Sequence, residues 1–177
     1  MMDETRPLEK LPVFLLPGEE TPRGPETIRI DGLVERPGSI TLATIRALPA
    51  QTLTADFACE EGWSVPGLRW QGARLADAIA LARPLPAARY ILVCSGRFCA
   101  AIPREQVEGP DGPLLAYELD GQPLPAEHGG PLRLIAASLA CYQTVKWVDH
   151  ITLAESAAEE TATEIATARL RALAGQQ

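Results

Sequence analysis

The sequence predicts an α+β domain dominated by mixed β-sheet. Three observations indicate this class. Many short apolar or alternating segments, each bounded by glycine or proline, are typical of strands. One segment has clear helical periodicity, and the connections between segments follow no fixed repeat. A length of 177 residues suits one domain with a substantial core, so we expect strands and a few helices in a single unit.

Composition and charge exclude several functional classes. The chain is 46% hydrophobic and 22% charged, as in ordinary globular proteins. Its net charge of −7 argues against a nucleic-acid partner. No apolar run approaches the roughly 20 residues that a membrane span needs. The first residues show no signal core, and the four cysteines are unevenly spaced, so we expect a reduced, cytoplasmic protein.

Residues 1–26 predict an extended N-terminal arm. Five prolines in this stretch rule out a helix and a central strand. An apolar patch at residues 13–16 is expected either to pack against the arm's own domain, which is favoured, or to dock on a partner.

Residues 27–154 predict the main domain, in which β patterns alternate with turns. The predicted strands are, in order, 27–30, 33–34, 39–42, 51–59, 90–94, 98–102, 114–119, 132–135 and 145–153. Between them, residues 43–48 predict a brief helix that ends before Pro49. Residues 75–82 predict the clearest helix, closed by the prolines that follow it.

Residues 155–177 change in character and predict a C-terminal helix. Alanine, glutamate and arginine dominate, and these are good helix formers. Large apolar residues are few, so the tail is compatible with weak docking, with a homo-oligomer or with fraying.

Cys59 is the candidate functional residue, because it ends a predicted strand and precedes a turn-rich segment that contains Trp63 and Trp70. Soft-metal ligands and nucleophiles are often found at such strand ends. The acidic neighbours Glu60 and Glu61 would raise a thiol pKa, which argues against a nucleophile. They are no obstacle to a thiolate that a metal ionises. These residues alone leave a metal ligand and a buried core cysteine open, with the core cysteine favoured.

Other chemistries find little support. Phosphate-loop, dinucleotide and zinc-protease motifs are absent from the sequence. The stretch 62–67 has its second glycine one residue late for a nucleophile elbow, and only two histidines exist to serve as a base. Cys94 and Cys99 lack a second cysteine pair for zinc, so we interpret both, together with Cys141, as small core residues.

Five stretches in order resemble the sulfite oxidase family of molybdopterin-dependent oxidoreductases. They are 59–64 (CEEGWS), 70–72 (WQG), 115–124 (LAYELDGQPL), 128–134 (HGGPLRL) and 145–148 (VKWV). Each is weak alone, but five in register are specific. The family includes the catalytic subunits of bacterial protein-methionine-sulfoxide reductases. The resemblance spans residues 27–154 and implies a sulfite-oxidase-type molybdopterin-binding fold between the arm and the tail.

The resemblance also implies a cofactor and a set of ligands. The cofactor is a molybdenum–molybdopterin group, and Cys59 matches the thiolate that completes its sulfur ligation and takes part in catalysis. A soft thiolate on a rigid strand end suits such a metal. The residues that match cofactor-binding positions are Ser95, His128, Arg133, Thr144, Val145 and Lys146. Residues 144–146 are expected to offer backbone amides and an ammonium to the cofactor phosphate.

The function implied is oxygen-atom transfer on a small sulfur- or nitrogen-oxo substrate. Because the sequence has no haem or iron–sulfur motif, an external electron-transfer protein is expected. Arg69, Arg74 and Arg97 are expected to attract an anionic substrate. Two alternatives stay open: a non-catalytic carrier of the cofactor, and a cofactor-free domain of the same fold.

The chain departs from the family pattern at a few positions. Gln143 stands where relatives often carry a second lysine near the phosphate, which predicts one lost charge contact. Residues 136–137 are Ala-Ala instead of Val-Pro, and Cys141 occupies a position that is often small. The turn at 96–99 is also unlike the family's usual one and is expected to shape the substrate entrance.

Overall fold

The expected mixed-sheet fold with few helices is confirmed. A computed structural model describes residues 11–13, 20–59 and 62–174. Its strands are β1 (Thr27–Gly32), β2 (Gly38–Thr41), β3 (Ala50–Ala58), β4 (Ser64–Arg74), β5 (Tyr90–Ser95), β6 (Phe98–Pro103), β7 (Leu114–Leu119), β8 (Gln122–Pro123), β9 (Arg133–Ile135) and β10 (His150–Ala154). Its α-helices are α1 (Leu42–Arg46), α2 (Leu75–Ala80), α3 (Arg104–Glu108) and α4 (Ala162–Ala174). Within this part of the chain, no helix is long and apolar enough to cross a membrane.

The first sheet has the strand order β2-β1-β10-β5-β6. Strands β1 and β10 run parallel, with Ile30 opposite Ile151, and the other neighbours run antiparallel. In β1 the side chains of Ile28 and Ile30 are buried while Arg29 between them is exposed, as an alternating pattern requires. Strand β5 lies between β10 and β6, and its consecutive residues 91–94 are all buried, so both of its faces are covered.

The second sheet has the order β3-β4-β7-β8, and β9 pairs with β7. The interpretation of the segment after Cys59 as turn-rich is wrong, because most of it forms the long strand β4. Pro66 and Gly67 suggested a turn, but they lie beside a register shift between β3 and β4. At that bulge the Gly67 amide donates a hydrogen bond to Asp56 Oδ1 at 2.9 Å. The irregular pairing tolerates a proline and a left-handed glycine inside a strand.

A small second core forms around Trp70, which is 1% exposed. Leu11 of the N-terminal arm is buried in this cluster, so this part of the arm packs on its own domain. Val13, at the start of the predicted apolar patch, is exposed. Residues 14–16 of that patch lie outside the described residues.

Several predicted boundaries were wrong. The last strand begins at His150 rather than at residue 145, because the chain turns at Trp147, whose φ is 54°. Residues 33–34 form only an isolated bridge between Val34 and Pro84. Helix α3 was not predicted, since its five residues carry too little periodicity. Helix α4 begins seven residues later than predicted, after a segment of turns and bends.

The prediction that Cys94 and Cys99 are separate core residues is also wrong, because they form a disulfide. Strands β5 and β6 are joined by a tight turn at Gly96, and the register places the two cysteines directly opposite each other. Directly opposite residues on paired strands have neighbouring side chains. Sequence spacing suggested no partner because it does not reveal strand register.

We expect Gly72→Ala to lower the free energy of unfolding by about 1–3 kcal/mol, because a Cβ there would lie 2.2 Å from the Leu115 carbonyl oxygen. The backbones of β4 and β7 would have to separate. Gly38→Ala is the matched control, since its Cβ would meet nothing within 4 Å. Urea unfolding of both variants measures the difference, and equal midpoints would contradict this account.

Candidate active site

A cavity of about 500 Å³ opens where strand ends, two loops and α4 meet. It lies at the end of β3 and beside the β5–β6 turn, and Arg133 of β9 lines it. Its lining residues are Leu11, Pro12, Phe57, Cys59, Trp63, Ser95, Phe98, Arg133, Cys141, Tyr142, Thr144, Lys146, Trp147, Ile165, Ala166, Arg169 and Leu170. The cavity thus draws on segments from residue 11 to residue 170.

Five of the predicted site residues share this cavity: Cys59, Ser95, Arg133, Thr144 and Lys146. The two others, His128 and Val145, do not line it and are buried. Residues far apart in sequence are therefore brought around one space, while two of the predicted contact residues are buried outside its lining.

The thiol of Cys59 is fixed by a tight turn at the end of β3. The Cys59 amide donates to the Trp63 carbonyl at 2.9 Å, and the Gly62 amide donates to the Cys59 carbonyl at 2.9 Å. Gly62 has a φ of 93°, which favours glycine. These bonds hold the half-buried thiol at the cavity wall.

A second thiol faces the first, and sequence reasoning missed it. Cys141 Sγ lies 3.2 Å from Cys59 Sγ, although 82 residues separate them. The interpretation of Cys141 as a core residue is therefore wrong. Cys141 begins a 3₁₀ turn, which Gln143 stabilises by accepting a hydrogen bond from the Ala140 amide at 3.1 Å. Gln143 thus serves the turn that carries Cys141.

Arg133 is the central cation of the site, and it is 3% exposed. It donates to the His128 carbonyl and to Thr144 Oγ1, both at 3.1 Å. Among the described residues no carboxylate pairs with it, and its Nε has no hydrogen-bond partner. Burial lowers the pKa of Arg133 to about 10, which still leaves it charged at neutral pH.

Aromatic rings take the place of a counter-ion for this guanidinium. Its carbon lies 4.9 Å from the ring centre of Phe57 and 5.3 Å from that of Trp70. Phe57 in turn stacks on Trp63 with centroids 5.9 Å apart. Cation–π attraction partly offsets the cost of burial but leaves the positive charge available to a ligand.

Lys146 supplies a second cation at the cavity. Its Nζ donates to the Glu127 carbonyl at 3.1 Å. Burial and the nearby charge of Arg133 lower the pKa of Lys146 to about 8. The absence of a side chain at Gly129 leaves room for the aliphatic part of Lys146, because a Cβ at position 129 would lie 2.8 Å from Lys146 Cβ and Cγ.

His128 does not line the cavity, and its Nδ1 is buried without a hydrogen-bond partner in the described residues. Burial and the charge of Lys146 lower the pKa of His128, so the ring is neutral at pH 7. A neutral imidazole can donate from one nitrogen and accept at the other.

The amides of Thr144 and Val145 do not point to a ligand, contrary to expectation. The Thr144 amide donates to the Cys141 carbonyl at 3.1 Å, and the Val145 amide donates to the Gln143 carbonyl at 3.0 Å. Both are thus used within the chain. Thr144 and Lys146 line the cavity, and the Thr144 hydroxyl accepts from Arg133 at 3.1 Å and donates to the Cys141 carbonyl at 2.5 Å.

The arginines predicted to attract an anion are elsewhere. Arg69 and Arg97 are exposed and outside the cavity lining, and Arg74 donates to the Gly109 carbonyl. The arginine that does line the entrance, Arg169, comes from α4. Sequence reasoning left the role of this helix open.

Helix α4 forms one wall of the cavity and is anchored by Thr161, the residue before its first. Thr161 Oγ1 accepts from the Cys99 amide at 2.9 Å and donates to the Arg97 carbonyl at 2.8 Å. Ala162 is completely buried in the main core. Ile165 and Leu170 line the cavity on one side and remain partly exposed on the other.

These features fit an anionic group that carries a soft metal. The described residues hold no cluster of three or more side chains that could bind a metal. The cavity offers such a group a thiol, the buried cation Arg133 with its unpartnered Nε, and the partly buried cation Lys146.

Comparison with known proteins gives this site a family. The family model described as "Oxidoreductase molybdopterin binding domain" matches residues 21–162. The chain belongs to this family. The resemblance to sulfite-oxidase-type enzymes is thereby confirmed.

The relatives of this molybdopterin-binding domain are longer proteins. Sulfite oxidase of Arabidopsis thaliana is 29% identical over 160 residues, which cover 71% of this chain and 41% of that protein. The uncharacterized oxidoreductase YuiH of Bacillus subtilis is 30% identical over 122 residues, covering 68% and 61%. The crystal structure of sulfane dehydrogenase SoxCD from Paracoccus pantotrophus aligns with a TM-score of 0.67 and 26% identity, over 76% of this chain and 39% of that one. The chain thus spans less than two thirds of each.

We expect Lys146→Met to stabilise the cofactor-free protein below pH 8, by roughly 1–3 kcal/mol, because it removes a buried charge. The lysine has a pKa of 10.5 in the unfolded chain and about 8 in the fold, so between these values the unfolded state binds more protons. Wild-type stability should therefore rise with pH across this window relative to the variant.

Urea unfolding at several pH values measures this difference. Arg36→Met, at an exposed cation, is the control and should show no such convergence. A difference in the free energy of unfolding between wild type and Lys146→Met that stays constant from pH 7 to pH 10.5 would contradict the cost of burying the lysine charge.

We expect Thr161→Val to loosen α4 and to lower stability by about 1 kcal/mol, because two hydrogen bonds of its hydroxyl are lost. Hydrogen exchange should accelerate in α4 while β5 stays protected. Thr163→Val, at an exposed position of the same helix, is the control. Equal exchange in both variants would show that the Thr161 hydrogen bonds do not hold α4 in place.

Proposed function

We propose that this molybdopterin-binding domain catalyses oxygen-atom transfer to or from a small sulfur- or nitrogen-oxo compound. The observation that supports it most is the half-buried Cys59 thiol in a cavity with buried Arg133, which lacks a carboxylate partner among the described residues. A thiolate for a soft metal and a cation for an anionic cofactor then meet in one space.

Each residue of the site would have a distinct task. Cys59 would bind the metal through its sulfur. Arg133 and Lys146 would balance the negative charge of the cofactor, with Arg133 held rigidly by its rings and hydrogen bonds. His128 would accept or donate one hydrogen bond at Nδ1, which has no other partner in the described part of the chain.

The cofactor, when bound, supplies a metal centre that exchanges one oxygen atom and two electrons with a substrate. The protein orients that substrate and limits its access to water. Trp63, Phe98 and Leu170 supply apolar walls, and Arg169 supplies a cation at the entrance. An anionic or polar oxo compound of small size suits this lining. Electrons would come from or go to a separate electron-transfer protein.

Metal content tests the ligand assignment. Protein produced in a host that makes the cofactor should contain close to one molybdenum per chain. Cys59→Ser should lose it, because a hydroxyl is a poor ligand for a soft site. Cys141→Ser is the matched control and should keep it. Loss of metal in Cys141→Ser alone would reassign the ligand, and metal-free wild-type protein would refute the function.

Activity then separates an enzyme from a cofactor carrier. Molybdenum-loaded protein should oxidise sulfite or reduce sulfoxides or related oxo compounds with artificial electron carriers. If the loaded protein turns over none of them but hands its cofactor to another molybdoenzyme, the chain is a carrier.

A further inference from the structure

We propose that Cys59 and Cys141 form a reversible disulfide in the cofactor-free chain, and that this disulfide withdraws the Cys59 sulfur from metal binding. The disulfide itself rests on geometry alone. Its consequence for metal binding rests on the proposed function, in which Cys59 is the ligand.

The two sulfur atoms are already close enough to react. Their separation is 3.2 Å, and a disulfide bond needs an approach of roughly 1 Å more. Cys59 follows the last residue of β3, and Cys141 begins a short 3₁₀ turn. Neither is inside a strand, so side-chain rotation and small loop shifts can close the gap without breaking a ladder.

Both thiols are also accessible. Each is partly exposed, and both line the 500 Å³ cavity, which admits small molecules. The two remaining cysteines, Cys94 and Cys99, are already joined to each other. Cys59 and Cys141 therefore have one another as the neighbouring cysteine, which makes the pairing specific.

The oxidant is a small disulfide such as oxidised glutathione. One cysteine thiolate attacks it and releases one reduced glutathione, which leaves a mixed disulfide on the protein. The second cysteine then attacks the protein sulfur and releases the second glutathione. In total, two protein thiols lose two electrons and two protons, and one glutathione disulfide becomes two thiols.

The consequence is mutual exclusion between oxidation and metal loading. A sulfur in a disulfide is no longer a thiolate and cannot ligate a metal. A sulfur bound to the metal is in turn protected from exchange. Reductant availability would thus decide whether an empty chain can accept cofactor, while a loaded chain stays insensitive.

Tryptic mapping without reduction tests the disulfide directly, because each cysteine falls on its own peptide: 47–69, 90–97, 98–104 and 134–146. Cofactor-free protein treated with oxidised glutathione should yield 47–69 joined to 134–146, lighter by two hydrogen atoms than their sum. Dithiothreitol should separate them. The joined peptide should be absent from Cys141→Ser and Cys141→Ala, whose folding is checked by circular dichroism.

Two further arms test the consequence. Molybdenum-loaded protein should resist cross-linking under the same treatment. Oxidised cofactor-free protein should take up no molybdenum from cofactor released by a donor molybdoenzyme, and uptake should return after reduction. Cys141→Ser treated in the same way is the control. It cannot form the disulfide, so it should take up molybdenum once mild reduction has removed glutathione from Cys59.

The outcomes are distinguishable. A stable mixed disulfide on Cys59, or no link between 47–69 and 134–146, overturns the inference even if the protein binds molybdenum. A link that forms in protein that never binds molybdenum keeps the disulfide but removes its consequence along with the proposed function. Equal molybdenum uptake by oxidised and reduced chains overturns the exclusion.

Discussion

The burial of Arg133 between Phe57 and Trp70 is the interaction on which the site depends. It connects β9 to the rings of β3 and β4, and its two hydrogen bonds reach the loops at His128 and Thr144. Removing a guanidinium from water is costly unless its charge and donors are compensated. The described residues compensate it only in part, so the fold leaves a positive charge beside two thiols. An anionic, soft-metal ligand fits that imbalance.

The cavity combines a family part with parts outside the family match. Its thiol and buried cations lie within residues 21–162, which the family model covers. Leu11, Pro12 and the lining residues of α4 lie outside that range. The thiol and the cations proposed to meet the cofactor therefore lie within the family match, whereas α4 and the N-terminal segment add lining residues from outside it.

The thiol pair adds a constraint that a single metal ligand would not have. Cys141 lies on the turn that Gln143 stabilises, and the same loop carries Thr144 and Lys146. A change in the bonding of Cys141 would therefore change the positions of Thr144 and Lys146, which are proposed to contact the cofactor. If Cys59 binds the metal as proposed, oxidation of the thiol pair and cofactor loading compete for the same sulfur.

The amino-acid sequence was enough to predict the mixed-sheet class, the strand that leads to Cys59 and the order of motifs that identifies the family. These depend on local patterns and on residue identity, which are readable along the chain. Tertiary structure alone decided the pairing of Cys94 with Cys99, the contact of Cys141 with Cys59, the internal use of the Thr144 and Val145 amides and the cavity wall made by α4. Each of these depends on strand register or on how loops pack across the fold. The longest of these contacts joins residues 82 positions apart, and no local pattern encodes it.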